Sequence, residues 1–217
     1  MARRELGYGH LGATELSKDR GGSPHHIVWL ALAFEGGLAT IALALGWLLQ
    51  HPPIQQIHLS WRVGAWGLIG TCPLILILLW SIKSAWEPLE QLRREIEQVL
   101  VPLFAECSLL ELALIAAFAG FGEEMLFRGV FQSRLAEFWN PWLALAVAST
   151  AFGLLHLVTP AYALLAGLVG AYLGYLLILT DNLLLPISVH SLYDFVALTF
   201  LVRRHPSDSN ERSFGET

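Results

Sequence analysis

The ten residues Gly120-Phe121-Gly122-Glu123-Glu124-Met125-Leu126-Phe127-Arg128-Gly129 set two adjacent carboxylates and an arginine among aliphatic and aromatic side chains. Insertion scales put one charge in the hydrocarbon at roughly 2.5–3.5 kcal/mol, so ionisable groups kept there point to function. Whether this stretch crosses a membrane therefore decides how it is read. The chain around it is 55% hydrophobic and 14% charged over 217 residues, and its mean hydropathy is +0.55. An ordinary soluble domain is about a quarter charged. These figures predict a polytopic membrane protein. A net charge of −5 carries no basic excess, which argues against nucleic acid as a partner. Cys72 and Cys107 lie in or beside apolar runs without C-x-x-C spacing, so buried reduced thiols are expected rather than a disulfide or a thiolate metal site.

Outward from the motif, turn residues divide the chain. Residues 1–25 form a polar tail with no apolar core of the kind a cleaved signal peptide needs. Ile27–Leu49 is long enough to span and ends at His51-Pro52-Pro53. Glu35 within it, beside Gly36-Gly37, reads as a structural polar group, paired in the bundle or set near an interface. Val63–Ile82 is a second span, with Cys72-Pro73 at its centre and tryptophans near its ends. Over Lys83–Phe104, Leu89, Leu92, Ile96, Val99 and Leu100 recur at helical spacing among charges. That pattern predicts an amphipathic helix at the membrane surface that connects two spans. Leu109–Trp139, Trp142–Val158, Tyr162–Leu179 and Leu183–Val202 complete the spans, with Asn140-Pro141, Thr159-Pro160 and Asp181-Asn182 as turns. Gly167, Gly170 and Gly174 suit close helix contact in lipid, and Ser149, Ser188 and Ser191 suit hydrogen bonds between helices.

The expected fold is an all-α membrane bundle of about six transmembrane helices plus one interfacial amphipathic helix. Its parts are the tail 1–25, two accessory spans and the amphipathic connector (26–105), a catalytic membrane region (106–202) and a polar tail (203–217). With six spans, ten of the 13 Lys and Arg residues fall on one side, which predicts a plasma-membrane protein with cytoplasmic termini.

Three further polar groups stand where apolar ones are expected: His156 in the fourth span, and His190 and Asp194 in the sixth. His190 and Asp194, like Glu124 and Arg128, are four residues apart and share a helix face. The third and fourth spans form a hairpin about Asn140, and Glu123 and His156 each lie about 16 residues from it, so they reach the same depth. Glu123, Glu124, His156, His190 and Asp194 are thereby expected to line one polar cavity, with Glu124 and Arg128 as an intrahelical ion pair. A glutamate and a histidine can activate a water, and a second histidine can stabilise an oxyanion. Glu123, His156 and His190 equally make a donor set for a divalent metal such as zinc, and spacing leaves both open. No H-E-x-x-H, G-x-S-x-G or phosphate-binding glycine loop occurs. A catalytically silent scaffold or immunity-type partner is the rival reading. A proton-coupled transporter is a third, against which no inverted repeat is visible.

Glu123-Glu124-x-x-x-Arg128, Phe152-x-x-x-His156 and His190-x-x-x-Asp194, in this order on successive spans, resemble the CPBP family of intramembrane proteases. That family includes CAAX prenyl endopeptidases and bacteriocin-processing or Abi proteins, and the resemblance covers roughly residues 107–200. It implies that Glu123 and His156 activate water, that His190 and the residue four beyond it form the oxyanion hole, and that Glu124, Arg128 and Phe152 support the site. It also implies a membrane-associated peptide or protein substrate and a bilayer environment. Family mechanisms are described both with a metal and without one. Asp194 stands where the CAAX enzymes often carry asparagine. An ionised aspartate cannot donate to an oxyanion, so it must be protonated, orient His190 or ligate a metal.

Overall fold

The computed structural model describes residues 24–204. The polar tails expected at either end fall, over residues 1–23 and 205–217, outside the described residues. The chain is all-helical: α1 (Pro24–Leu48), a 3₁₀ turn (Pro53–Gln56), α2 (Trp61–Lys83), α3 (Glu87–Phe104) and α4 (Leu109–Glu124) come first. A π-helical segment (Met125–Gln132), α5 (Ser133–Phe138), α6 (Pro141–Leu155), α7 (Pro160–Thr180) and α8 (Leu184–Arg204) follow. Helix starts obey local chemistry. Ser108 and Glu111 form a reciprocal capping box on α4. Asn140 and Thr159 cap α6 and α7, each ahead of a proline at the first helical turn.

By length and composition, α1, α2, α7 and α8 can each cross a membrane, and α3 with Leu109–Phe138 adds a fifth crossing if that bent pair counts as one. The protein is thus multi-pass, with four or five candidate spans. α6 has 15 residues, about 22 Å at 1.5 Å per residue against a core of about 30 Å. It is short because His156, expected inside a span, instead terminates the helix as its C-cap.

α4 packs on α8 and α1, α2 packs on α8, and α6 pairs with α7. Apolar clusters seal these seams, among them Leu112, Ile115, Leu198 and Val202 between α4 and α8. α3 stands at 117° to Leu109–Phe138. Arg93 on α3 donates to the terminal carbonyls of α2, Ser81 and Ile82, at 3.3 and 3.2 Å, supplying partners that a helix end lacks.

Some local expectations need correction. Cys107 is buried, but Cys72 is exposed, because it faces outward from α2, where a thiol costs little against lipid. Ser188 donates within its own helix, to the Leu184 carbonyl at 2.7 Å, a bond always in reach of a helical serine. Ser149 Oγ is buried and lacks a hydrogen-bond partner among the described residues. Ser191 does meet the neighbouring helix, where its Oγ occupies the space a Cβ on Gly120 would need.

Candidate active site

The π segment begins directly after Glu124 and carries Arg128. Its wider turns leave carbonyls without their usual α-helical donors, and side chains serve them. Ser133 Oγ donates to the Arg128 carbonyl at 2.8 Å, and Gln56 Nε2, from the 3₁₀ turn, donates to the Gly129 carbonyl at 2.7 Å. Such segments are frequent at functional sites. Here it aims Arg128 and Gln132 at α7, where Arg128 Nη2 reaches the Gly170 carbonyl at 2.9 Å and Gln132 Nε2 that of Gly174 at 3.0 Å. Both α7 residues must be small. A Cβ on Gly170 would stand 2.8 Å from Arg128 Nη2 and 3.1 Å from Phe152 Cδ1. Of the three glycines expected to let helices approach, Gly167 does so, with a Cβ there standing 3.4 Å from the Ser149 carbonyl of α6, whereas Gly170 and Gly174 admit side chains from the π segment.

Arg128 and Glu124 are fully buried, 1% and 0% exposed, and join at 2.8 Å, as the four-residue spacing predicts. The guanidinium also lies over the Phe152 ring, 4.4 Å from its centroid. Phe152 in turn stacks at a tilt on His156, with centroids 4.4 Å apart. The expected ion pair is therefore the base of a column that runs Arg128, Phe152, His156.

Glu124 does more than pair with Arg128. Its Oε1 also accepts from His190 Nδ1 at 2.9 Å, a link that spacing along the chain did not reveal. Because that oxygen accepts from the arginine too, His190 carries a proton on Nδ1 and turns Nε2 to the other side. His156 is fixed in the same way: its Nδ1 lies 2.8 Å from the Phe152 carbonyl, which can only accept, so Nε2 points outward.

Both Nε2 atoms converge on Glu123. His156 Nε2 lies 3.7 Å from its Oε1 and His190 Nε2 3.9 Å from its Oε2. Asp194 Oδ2 stands 3.4 Å from His190 Nε2. The depth argument about Asn140 is thus matched by the distances, and all five acids and histidines face one another. Glu123, His156, His190 and Asp194 line a cavity of about 410 Å³ whose walls are otherwise mostly apolar, including Ile115, Ala166 and Leu198. Glu124, expected to line it too, is instead fully buried behind His190, where Arg128 and His190 occupy its Oε1.

Three features of this cavity were not anticipated from the residue pattern. α3 is more than a connector, because Leu92, Arg93, Ile96 and Glu97 form one wall. Tyr162 lines the cavity near His156, with ring centroids 6.4 Å apart. Glu35, read as a structural group, lines it as well. The signal for Glu35 was present, a carboxylate inside an apolar run, but nothing in the pattern tied its depth to that of Glu123.

Two imidazole nitrogens and a carboxylate are suitable donors for zinc. Among the described residues, however, no three His, Cys, Asp or Glu side chains are arranged to hold an ion. Glu123, His156 and His190 as they stand do not make a metal cradle.

Residues 105–196 match the family model described as Rce1-like, type II CAAX prenyl endopeptidase, and this segment is a domain of that family. It contains Glu123, Glu124, Arg128, Phe152, His156, His190 and Asp194. Comparisons with curated proteins and with solved structures give no match.

Proposed function

We propose that the protein is an intramembrane endopeptidase that hydrolyses a peptide bond near or within the membrane, akin to CAAX-type C-terminal processing. The observation that carries this reading is the convergence of two histidine Nε2 atoms on Glu123 inside an apolar cavity. Water is scarce there, so an attacking water held by protein groups faces little competition and acts in a low-dielectric setting.

In the proposed reaction, a water between Glu123 and His156 gives a proton to the Glu123 carboxylate while its oxygen bonds to the scissile carbonyl carbon. The carbonyl electrons move to oxygen, and the oxyanion accepts a hydrogen bond from His190. For that, His190 carries protons on both nitrogens, one held by Glu124 and the other facing Asp194. Asp194 thus orients the donor and is not itself the donor, which accommodates an aspartate at this position. When the carbonyl re-forms, the C–N bond breaks and the Glu123 carboxyl returns its proton to the leaving amine. Glu124, Arg128 and Phe152 hold the two imidazoles in place.

The substrate would be a membrane-associated peptide or protein. The catalytic region spans residues 106–202, and Leu109–Phe138 with the short α6 forms a hairpin that enters the bilayer beside the four crossings α1, α2, α7 and α8, in a plasma-membrane protein with cytoplasmic termini. The test is cleavage by detergent-solubilised protein. Glu123→Ala and His156→Ala should each lower kcat by about 10²–10⁴-fold, the usual worth of a positioned acid–base group. Unchanged kcat in both would overturn the assignment.

A further inference from the structure

We infer that Glu35 anchors the substrate: it accepts a hydrogen bond from a backbone N–H of the bound peptide beside the scissile bond. This rests on the peptidase reading above and adds a residue outside the family-matched segment, 105–196.

Glu35 sits within α1, where a carboxylate is costly in lipid. Its side chain lines the same cavity as Glu123, His156, His190 and Asp194. The backbone sets it at their level. α1 presses on α4 so closely that a Cβ on Gly122 would lie 3.2 Å from the Glu35 carbonyl carbon, with the carbonyl oxygen nearer still. One helix position on, a Cβ on Gly36 would meet Phe118 of α4 at 3.8 Å. Gly122 immediately precedes Glu123, so this contact fixes the two glutamates in register.

The partners of the acids differ. Glu124 is held by Arg128 and His190, Asp194 faces His190, and Glu123 faces both histidines. Oε2 of Glu35, like Oε2 of Glu123 and of Glu124, is buried without a hydrogen-bond partner among the described residues. Glu123 and Glu124, however, each face a histidine or arginine at ion-pair distance, and Glu35 faces none among the described residues. A buried acceptor left bare is unfavourable, and native sites supply a donor. The donors that any peptide must bring to this cavity are its backbone N–H groups, whatever its side chains. With Glu123 at the scissile bond, the amide within reach of Glu35 is one that flanks it.

The experiment uses full-length protein in detergent and the best-cleaved member of a mixture of N-terminally acylated decapeptides. Each backbone amide flanking the cleaved bond is N-methylated in turn, and KM and kcat are measured for wild type, Glu35→Ala and Glu35→Gln. A hydrogen bond to this buried carboxyl oxygen predicts a KM about 3- to 10-fold higher in Glu35→Ala, with kcat little changed. Glu35→Gln keeps a carbonyl acceptor and falls between. One N-methyl position should raise KM for wild type and add nothing in Glu35→Ala. Heat stability of Glu35→Ala should equal or exceed wild type, because a bare buried acceptor has gone. Should Glu35→Ala be destabilised, the N-methyl scan on Glu35→Gln decides, again by loss of the effect at one position. Wild-type KM in Glu35→Ala, or N-methyl effects that carry over in full at every position, would overturn the inference. Cleavage by Glu123→Gln at the wild-type rate would instead overturn the peptidase reading. An inactive Glu123→Gln beside an unaffected Glu35→Ala would remove only the role of Glu35.

Discussion

Replacing Arg128 with methionine tests whether the buried ion pair organises the site. The guanidinium donates to Glu124 Oε1 at 2.8 Å and to the Gly170 carbonyl at 2.9 Å, and covers the Phe152 ring at 4.4 Å. Methionine fills much of the same space but cannot donate. Glu124, 0% exposed, would then keep a buried charge with only His190 as partner. Breaking one side of a buried pair typically costs about 3–5 kcal/mol. The lost bond to Gly170 and the lost cation–π contact fall within that figure and are not added to it. The same principle makes a second prediction in the cycle: Glu124→Gln with Arg128→Met removes both charges and should recover at least about 2 kcal/mol of the summed single losses. Equilibrium unfolding in mixed micelles, with rising SDS fraction, measures all four proteins. A cost below about 1 kcal/mol for Arg128→Met, or strict additivity in the double variant, would refute the claim that these charges depend on each other.

Gly170→Ala should destabilise by about 1–3 kcal/mol through overpacking. It should also lower kcat, because the new methyl displaces Arg128 and Phe152 and, through Phe152, His156; unfolding and turnover on one preparation check both. Asp194→Asn should keep kcat within about tenfold of wild type, since asparagine can itself donate to an oxyanion, whereas Asp194→Ala should lose about 10²-fold or more. Steady-state kinetics on the three proteins separates an orienting aspartate from a dispensable one. Hydrolysis that runs on Glu123 and His156 alone should survive dialysis against 1,10-phenanthroline with unchanged kcat, and loss restored by added zinc would reassign those residues as ligands.

Much of the site was legible because helical geometry converts spacing into position. The hairpin about Asn140 brought Glu123 and His156 to one depth, and the four-residue intervals paired Glu124 with Arg128 and His190 with Asp194. What was hidden depended on contacts between elements distant in the chain. No local signal marks Met125–Gln132 as π-helical, since that geometry is sustained by Gln56 and Ser133 and by the carbonyls of α7. The bond from His190 to Glu124 joins helices 66 residues apart. Glu35 looked structural because only the packing of α1 on Gly122 places it beside Glu123. Apolar content overstated the fourth span, where His156 closes α6 after 15 residues. The amphipathic pattern of α3 marked it as a helix but not which face walls the cavity.

The most direct measurement compares protein termini in membranes from cells that express wild type or Glu123→Gln at matched levels. If Glu123 is the base of a membrane peptidase, at least one membrane protein will carry a new terminus with wild type and stay uncleaved with Glu123→Gln. Identical termini in both, with Glu123→Gln supporting the same growth phenotype as wild type, would contradict catalysis and leave a scaffold in its place.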